Sequence, residues 1–239
     1  MSILLSKGSD TLDNSEKGGA NSGKKVGFIR LKNGQSVRVA FIADRAEPEN
    51  VVFASAEYLN HGDFEQGVHS HPCIHALGEG CHSCDVKVPR SRRFVIPFVL
   101  LDKYVNGKTT VEAGTVGVLD VSKKQYNTIK AAVKDYLIAD EDDGTIALFD
   151  MAFKLAKTGE KTESSFAISP ILKLKGEDKE VVEATKEVEL EEDFFELALR
   201  IRTNDQLKEM LKNYTPKADD EDEDEQAEQS ESEDPAKNF

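Results

Sequence analysis

The amino-acid sequence predicts a mainly β protein of the α+β class, built as a small β-barrel with appended helices. Short runs of alternating apolar residues recur through the first three quarters of the chain, and turn residues separate them. One helical pattern lies among these runs, and two amphipathic helical patterns follow them. Many short strands with few helices are typical of small barrels.

The predicted strands begin with a hairpin. Residues 26–31 and 36–43 carry alternating apolar side chains, and the Asn33-Gly34 pair between them is favoured in tight hairpin turns. Residues 94–103 are mostly apolar on both faces, as in a buried strand, although Pro97 requires an edge or a bulge. The other predicted strands are 51–58, 107–111, 115–121, 146–154 and 165–174.

Three helices are predicted. Ser122 and Gln125 have the spacing of a capping box, and apolar residues follow them at helical intervals as far as Leu137. Residues 192–201 and 204–214 have the pattern of amphipathic helices.

The composition divides the chain into three parts. Residues 1–25 are rich in Gly, Ser, Asn and Lys and are expected to form a flexible arm. Residues 26–215 form the predicted core, with an insertion at about 59–87 that holds all three Cys and all five His and shows no strand pattern. Residues 216–239 are expected to be a disordered acidic tail.

The net charge of −14 is a property of the C-terminal third. Residues 217–239 carry 11 acidic and two basic groups, whereas residues 1–176 carry 22 acidic and 23 basic groups. The front of the chain is therefore nearly neutral and can still carry a basic groove. The acidic total does not exclude nucleic acid as a partner.

Two classes of protein are excluded by the sequence. Three Cys cannot all pair with one another, and the apolar run at the start is too short for a signal peptide, which argues against a secreted disulfide scaffold. No window approaches the roughly 18 apolar residues of a membrane span. We therefore expect a soluble protein of a reducing compartment.

The cysteines and histidines predict a metal site. Cys81 and Cys84 form a C-x-x-C pair, and Cys73 precedes them; Gly78 and Gly80 supply the backbone freedom of a tight turn. The fourth ligand would come from one of the five histidines: His61, His69, His71, His75 or His82. Three Cys and one His form a closed tetrahedral set for Zn²⁺. We expect one structural zinc ion, on which the folding of the insertion depends.

This motif has three other interpretations. A redox C-x-x-C would leave Cys73 and the histidines without a role, and free thiols with scattered histidines would leave the spacing unexplained. A zinc deaminase would carry H-x-E before P-C-x-x-C, but Gly62-Asp63 follows His61 and Gly80 precedes Cys81. Structural zinc is the prediction.

A basic run follows the cysteines and leads into a strand with aromatic residues. Lys87, Arg90, Arg92 and Arg93 occur without an acidic residue among them, and Phe94, Phe98 and Tyr104 follow. A solvated charge run is the ordinary explanation. Phosphates bind Lys and Arg along a groove, and unstacked bases bind aromatic faces, so the run also predicts contact with nucleic acid.

The acidic tail has two interpretations. It can act as a solubilising segment, or it can occupy a phosphate-binding groove when nucleic acid is absent. The terminal Phe239 can dock into a partner protein, as disordered recognition segments do.

These features together resemble the T4-type bacteriophage single-stranded DNA-binding (helix-destabilising) proteins. The resemblance lies in Asn33-Gly34-Gln35-Ser36-Val37, in Asn60-His61-Gly62 followed by Cys73, Cys81 and Cys84, and in Lys123-Lys124-Gln125-Tyr126 with Ile129 and Lys130. It covers roughly residues 25–215 patchily, and the order His, Cys, Cys-x-x-Cys is its specific part.

The resemblance implies an OB-fold with an inserted zinc subdomain, and a groove for single-stranded DNA between them. It selects His61 as the fourth zinc ligand, with His71 as the second choice. It also implies self-association along DNA, recruitment of replication and recombination proteins by the tail, and a location in the cytoplasm of the bacterial host. The chain has no Trp, so other aromatic residues must stack on bases.

Our hypothesis is a non-enzymatic, sequence-independent single-stranded DNA-binding protein of phage replication, recombination and repair. Lys87, Arg90, Arg92 and Arg93 would neutralise phosphates, and the stacking candidates are Tyr58, Phe94 and Tyr104. Two alternatives remain. One is an acidic adapter whose zinc module binds other proteins rather than DNA, and the other is a zinc hydrolase or deaminase.

Overall fold

The structure is a computed structural model that describes residues 3–7, 27–44, 52–78, 80–107, 109–138, 146–159 and 163–216. Most of its regular structure is β-sheet. The strands of these residues are β1 (Leu4–Lys7), β2 (Gly27–Phe28), β3 (Ser36–Phe41), β4 (Ala43–Asp44), β5 (Val52–Phe53), β6 (Ala56–Asp63), β7 (Val68–Pro72), β8 (Arg90–Leu100), β9 (Tyr104–Asn106), β10 (Thr109–Val111), β11 (Val116–Ser122), β12 (Phe153–Thr158) and β13 (Ser165–Pro170).

Six α-helices accompany the strands in the described ranges. They are α1 (His82–Asp85), α2 (Lys123–Val133), α3 (Ala147–Asp150), α4 (Gly176–Thr185), α5 (Phe194–Leu199) and α6 (Asn204–Leu211). The described residues also include the 3₁₀ turns His75–Leu77 and Lys134–Leu137. None of the helices in these ranges has the length and apolar character needed to cross a membrane.

The large sheet is open and is organised around β8. Its main path runs β1-β6-β8-β3-β12-β13; β11 also pairs with β8, β2 with β11 and β7 with β6. The strand pairs β9–β10 and β4–β5 form two small separate sheets. The prediction of a mixed α+β fold rich in strands is confirmed at this level. The strands of the described residues form open sheets rather than a closed ring.

Strand β8 has two faces with different environments. Successive side chains of a strand alternate between its faces. The even face begins with Arg90, Arg92 and Phe94 and continues into the largest core cluster with Ile96, Phe98 and Leu100. The odd face carries Arg93, Val95 and Val99 and packs into separate clusters.

Pro97 lies where β8 changes partner. On one side β8 pairs with β6 up to Val95 and with β3 from Phe98 onward. On the other side Pro97 faces Val118, whose carbonyl oxygen accepts a hydrogen bond from Ile29 N at 2.8 Å and so points away from β8. The missing N–H of Pro97 therefore faces the gap between β6 and β3. Pro97 is therefore accommodated by this gap and not by the edge strand or bulge that the sequence predicted.

Helices cover both faces of the sheet. Ile129 and Val133 of α2 and Leu148 of α3 pack on the core of the even face. The predicted capping box of α2 is confirmed: Gln125 N donates to Ser122 Oγ at 3.3 Å, and Ser122 N donates to Gln125 Oε1 at 3.0 Å. Helices α4 and α5 cover the odd face.

Four predictions are corrected. The predicted hairpin of residues 26–31 and 36–43 does not form, because β2 pairs with β11 whereas β3 pairs with β8 and β12. The predicted strand 146–154 begins as α3, because Leu148 packs as a helical residue before the chain extends at Phe153. The predicted strand 165–174 ends at Pro170, and α4, which the sequence did not suggest to us, follows it. The insertion 59–87 was expected to lack strands but contains the end of β6 and all of β7.

The flexible arm predicted for residues 1–25 is corrected at its beginning. Ile3 is buried in the odd-face cluster with Tyr58 and Val95, and β1 pairs with β6. Residues 8–26 lie outside the described residues, as do residues 217–239, where the acidic tail and Phe239 were predicted.

Candidate metal centre and nucleic-acid interface

The metal centre is built on the β6–β7 hairpin. His61 of β6 pairs with His71 of β7 on one side and with Arg90 of β8 on the other. Cys73 follows directly after β7, and its backbone N–H donates to Leu59 O at 2.8 Å. The sheet therefore fixes two of the predicted ligands, His61 and Cys73, before the chain turns away.

The other two predicted ligands lie on a short helical turn. Cys81 precedes α1 and Cys84 lies within it, and Cys84 N donates to Cys81 O at 2.9 Å. Gly78 and Gly80 have φ angles of 83° and 73°, which residues with a Cβ rarely adopt, so they supply the backbone freedom that the sequence suggested. This turn aims both sulfurs toward the hairpin.

The four predicted ligands converge. His61 Nε2 and the sulfurs of Cys73, Cys81 and Cys84 all lie within 4.8 Å of one another. Cys84 Sγ is 3.3 Å from His61 Nε2 and 3.6 Å from Cys73 Sγ, and Cys81 Sγ is 3.8 Å from His61 Nε2. Sulfur and nitrogen atoms bound to one tetrahedral cation are separated by about these distances. This buried cluster could hold a metal ion.

Hydrogen bonding leaves His61 ready to bind a cation. Its Nδ1 lies 2.9 Å from Val88 O, and because a carbonyl can only accept, Nδ1 carries the proton. Nε2 therefore turns its lone pair toward the sulfurs. A carbonyl that orients a histidine in this way is a usual feature of metal sites.

The thiols differ in acidity. A hydrogen bond shared with Cys73 lowers the pKa of Cys81 despite its burial, and His61 and backbone groups add to the effect. The same sharing with Cys81, together with burial, raises the pKa of Cys73. Burial raises the pKa of Cys84. Three sulfurs this close can all be thiolates only beside a strong positive charge, which is the chemistry that a bound cation supplies.

His71 does not join the cluster, and neither do the other histidines. Its Nε2 lies 2.7 Å from Ser83 Oγ and its Nδ1 lies 2.9 Å from His69 O. Burial lowers the pKa of His71. His69 and His75 are exposed, and His82 begins α1. The structure therefore brings together the first choice of ligands and excludes the second.

Helix α6 covers the metal centre. The sequence did not predict this contact. Leu207 is fully buried against Cys73 and Cys81. Asn204 Oδ1 accepts a hydrogen bond from His82 N at 2.8 Å and thereby caps α1. The amphipathic pattern of 204–214 predicted the helix, but only the fold shows which surface its apolar side meets.

The predicted basic residues separate onto the two faces of β8. Arg90 and Arg92 lie on the even face beside the metal centre, opposite His61 and Leu59 of β6. Arg92 is 54% exposed and lies 3.5 Å from Glu57, whereas Arg90 has no ion pair within the described residues. Lys87 is exposed in the turn before β8.

Arg93 lies on the odd face and has a structural role. Its Nε lies 2.8 Å from Asp120 Oδ1, and its side chain is 26% exposed. Tyr58 OH donates to the same Asp120 oxygen at 3.1 Å. Burial lowers the pKa of Arg93, but Asp120 outweighs it and the net pKa is raised. Arg93 therefore does not share the surface of Arg90 and Arg92, and its role as a phosphate ligand stays a prediction that this ion pair does not support.

Two of the predicted stacking residues are buried. Tyr58 is 3% exposed within the odd-face cluster, and Tyr104 is 7% exposed with its hydroxyl donating to Arg30 O at 2.8 Å. Their rings form part of the core, so neither offers a face to a base in this conformation. The prediction that they stack on nucleic acid is corrected.

Phe94 remains at the surface together with a residue that was not predicted to bind. Its ring stacks on Tyr126 of α2, with centroids 4.1 Å apart and an angle of 8° between the planes, and both rings are partly exposed. We call Arg90, Arg92, Phe94 and Tyr126 the β8 strip. Helical spacing places the exposed Lys123 and Lys130 on the same side of α2 as Tyr126.

Glu57 is the acidic neighbour of the β8 strip. It faces Phe94 across the β6–β8 pair and lies 3.5 Å from Arg92. Its charge contributes, after burial, to the raised pKa of Tyr126. The β8 strip therefore has cationic and aromatic side chains, and one anionic side chain, Glu57, borders it.

No protein-family model and no curated protein sequence matches this chain. The functional interpretation therefore depends on the geometry of the metal centre and of the β8 strip.

Proposed function

We propose that the protein binds single-stranded DNA along the β8 strip, without sequence preference and without catalysis. One observation carries this proposal: two exposed arginines and a stacked aromatic pair share the even face of β8 directly beside the metal centre. Phosphates and the faces of bases are common to all nucleotides, so such a surface binds a strand of any sequence.

We further propose that the metal ion is one structural Zn²⁺. Three sulfurs and one imidazole nitrogen are the ligand set that Zn²⁺ prefers, and four protein ligands leave no position for a reactive water. Its role is to hold the β6–β7 hairpin and α1 as one wall of a DNA groove. That groove would lie beside an OB-like barrel, for which the central, doubly paired β8 is the supporting feature.

The biological setting is part of the proposal and follows the resemblance to the T4-type phage proteins. The protein would coat single strands during phage replication, recombination and repair in the host cytoplasm. Its acidic segment 217–239 would compete for the β8 strip and recruit replication and recombination proteins. Removing residues 217–239 should then tighten binding to single strands, most at low salt; unchanged affinity would leave only the recruiting role.

The direct test is a fluorescence titration with single- and double-stranded oligonucleotides at several salt concentrations. If Arg90, Arg92, Lys123 and Lys130 each neutralise one phosphate, log K should fall with log salt at a slope of roughly −3. The full-length Arg90→Ala/Arg92→Ala variant should weaken binding about tenfold and reduce the slope by about 1.4.

A matched variant controls for loss of charge. Lys173 lies before α4 and Lys179 lies within it; both are exposed and lie away from the β8 strip. The Lys173→Ala/Lys179→Ala variant should therefore bind DNA almost as the wild type does. Equal binding of single and double strands, or an affinity independent of salt, would contradict the proposal. Absence of oligonucleotide binding would favour the adapter interpretation.

A further inference from the structure

A second buried histidine stands beside the metal ligand His61 without taking part in the ligand set. His71 lies directly opposite His61 in the β6–β7 pair, and the two rings are 5.7 Å apart at an angle of 27°. Both side chains are buried. A buried histidine next to a metal centre that is not a ligand needs another explanation.

The hydrogen bonds of His71 fix its protonation. His69 O can only accept, so Nδ1 of His71 carries the proton and Nε2 presents a lone pair. Ser83 Oγ lies 2.7 Å from that Nε2 and therefore donates its hydroxyl proton to it. His61 and His71 thus have the same tautomer, but one directs its Nε2 to the sulfurs and the other to a serine hydroxyl.

Ser83 is placed to transmit this contact to the ligands. It is the second residue of α1, is fully buried and lies in the C-x-x-C turn between Cys81 and Cys84. Its carbonyl also accepts a hydrogen bond from Val88 N at 2.9 Å, and Val88 O is the group that orients His61. The turn is therefore tied both to β7 and to the segment that holds the fourth ligand.

We propose that His71 is a positioning residue of the metal centre, which holds the Cys81–Cys84 turn through Ser83 and thereby slows release of the metal ion. Partners that orient metal ligands from outside commonly contribute 10- to 100-fold in metal affinity. The inference rests on the proposed zinc ion, which uptake of Zn²⁺ by the wild type tests separately, and it does not depend on the proposed binding of DNA.

The test compares release of Zn²⁺ from the full-length protein to a colorimetric chelator. The His71→Leu and Ser83→Ala variants should each bind one Zn²⁺ but release it about tenfold faster than the wild type. The His71→Gln variant places an amide oxygen near the position of Nε2, where it can accept from Ser83, so its release rate should stay within about threefold of the wild type.

Substitution with Co²⁺ separates positioning from ligation. His71→Leu should keep the absorption spectrum of a site with three thiolates and one imidazole, whereas His61→Ala should change it. Release rates of His71→Leu and Ser83→Ala within twofold of the wild type would overturn the proposal. So would a His71→Gln variant as fast as His71→Leu, or a Co²⁺ spectrum of His71→Leu that has lost its nitrogen ligand. If His71→Leu does not fold, Ser83→Ala, which removes only one oxygen atom, decides the question.

Discussion

The two faces of the central sheet use arginine in opposite ways. On the even face of β8, Arg90 and Arg92 project into solvent beside the metal centre. On the odd face, Arg93 is held by Asp120, and Arg38 of the neighbouring β3 is held by Asp102 and Asp178. Arginine therefore forms an exposed surface on one face, whereas on the other it is half-buried and ion-paired to carboxylates of other elements.

The difference arises from what covers each face. Helices α4 and α5 cover the odd face, so an arginine there loses water and needs a carboxylate partner. Helix α2 covers the even face as far as Phe94. Beyond it α6 covers Leu59 and the cysteine cluster on the β6 side, while Arg90 and Arg92 of β8 stay exposed. A cationic side chain without a close carboxylate partner can bind a phosphate. Within the described residues Arg90 has no ion pair, and Arg92 has only the 3.5 Å contact with Glu57.

Removal of the metal should give the largest effect and should act on the even face alone. The exposed arginines begin at the Arg90–His61 pair, so loss of the cation would release the hairpin, α1 and the α6 helix that covers them. After treatment with a strong chelator, hydrogen exchange in residues 59–88 and 204–211 should accelerate at least a hundredfold, while β3 and β12 stay protected. Added Zn²⁺ should restore protection. Unchanged exchange in the hairpin would contradict a structural role for the metal.

Substitutions of the neighbouring residues Arg92 and Arg93 should differ in their effects on the free energy of unfolding. Arg93→Leu leaves the Asp120 carboxylate and the Tyr58 hydroxyl with fewer partners, and we expect a loss of about 2 kcal/mol in the free energy of unfolding. Arg92→Leu should change it by less than about 0.5 kcal/mol. Urea unfolding measures both values. Equal losses, or a larger loss for Arg92→Leu, would remove the distinction between the faces.

The metal ligands could be predicted from the sequence because their chemistry depends on spacing. The C-x-x-C pair and Cys73 define a thiolate set at close range, and the resemblance then selected His61, which the structure places with them. The α2 capping box was predictable for the same reason, since Ser122 and Gln125 act within one helical turn. Local patterns report local geometry well.

The β6–β7 hairpin was not predictable because its buried side chains are polar and do not show the apolar alternation of a strand. Asn60, His61 and His71 are buried polar residues, so the apolar alternation that indicates a strand is missing beside the Cys and His cluster that could hold a metal ion. The sequence could have predicted that Arg93 lies on the other face of β8, because side chains alternate along a strand and Arg93 is an odd number of residues from Arg90 and Arg92. Its partner Asp120, on β11, could be identified only from the fold.

Removal of the acidic neighbour should strengthen the even face as a phosphate site. Glu57 lies 3.5 Å from Arg92 and opposite Phe94, so its charge competes with a phosphate for the arginine. Glu57→Gln should tighten binding to single-stranded DNA about two- to fivefold at low salt, and the gain should shrink at high salt. Glu112→Gln, which removes a carboxylate paired with Lys103 near β9, is the matched control and should leave affinity unchanged. Weaker DNA binding by Glu57→Gln would indicate that the single-stranded DNA does not bind along the β8 strip.

The smallest expected effect concerns the acid dependence of the odd-face arginine Arg38. Hydrogen bonds from Arg38 lower the pKa of Asp102 below its ordinary value. A carboxyl group with a lowered pKa in the folded state stabilises the protein above its unfolded pKa of about 3.9, and this contribution disappears as the pH falls through the folded pKa. The Asp102 side chain is 51% exposed, and Asp178 still holds Arg38, so the contribution should be below about 1 kcal/mol.

Urea unfolding of wild type and Asp102→Asn between pH 3 and pH 7 measures this contribution. The difference in unfolding free energy should be constant above about pH 5 and should decrease steadily below about pH 4. Asp135→Asn, at an exposed position in the turn after α2, controls for the loss of one negative charge. A difference that grows as the pH falls would have the wrong sign for an ion pair. It would mean that Asp178 alone holds Arg38 on the odd face. The arginines of the two faces would then differ in their burial and not in the number of carboxylates that hold them.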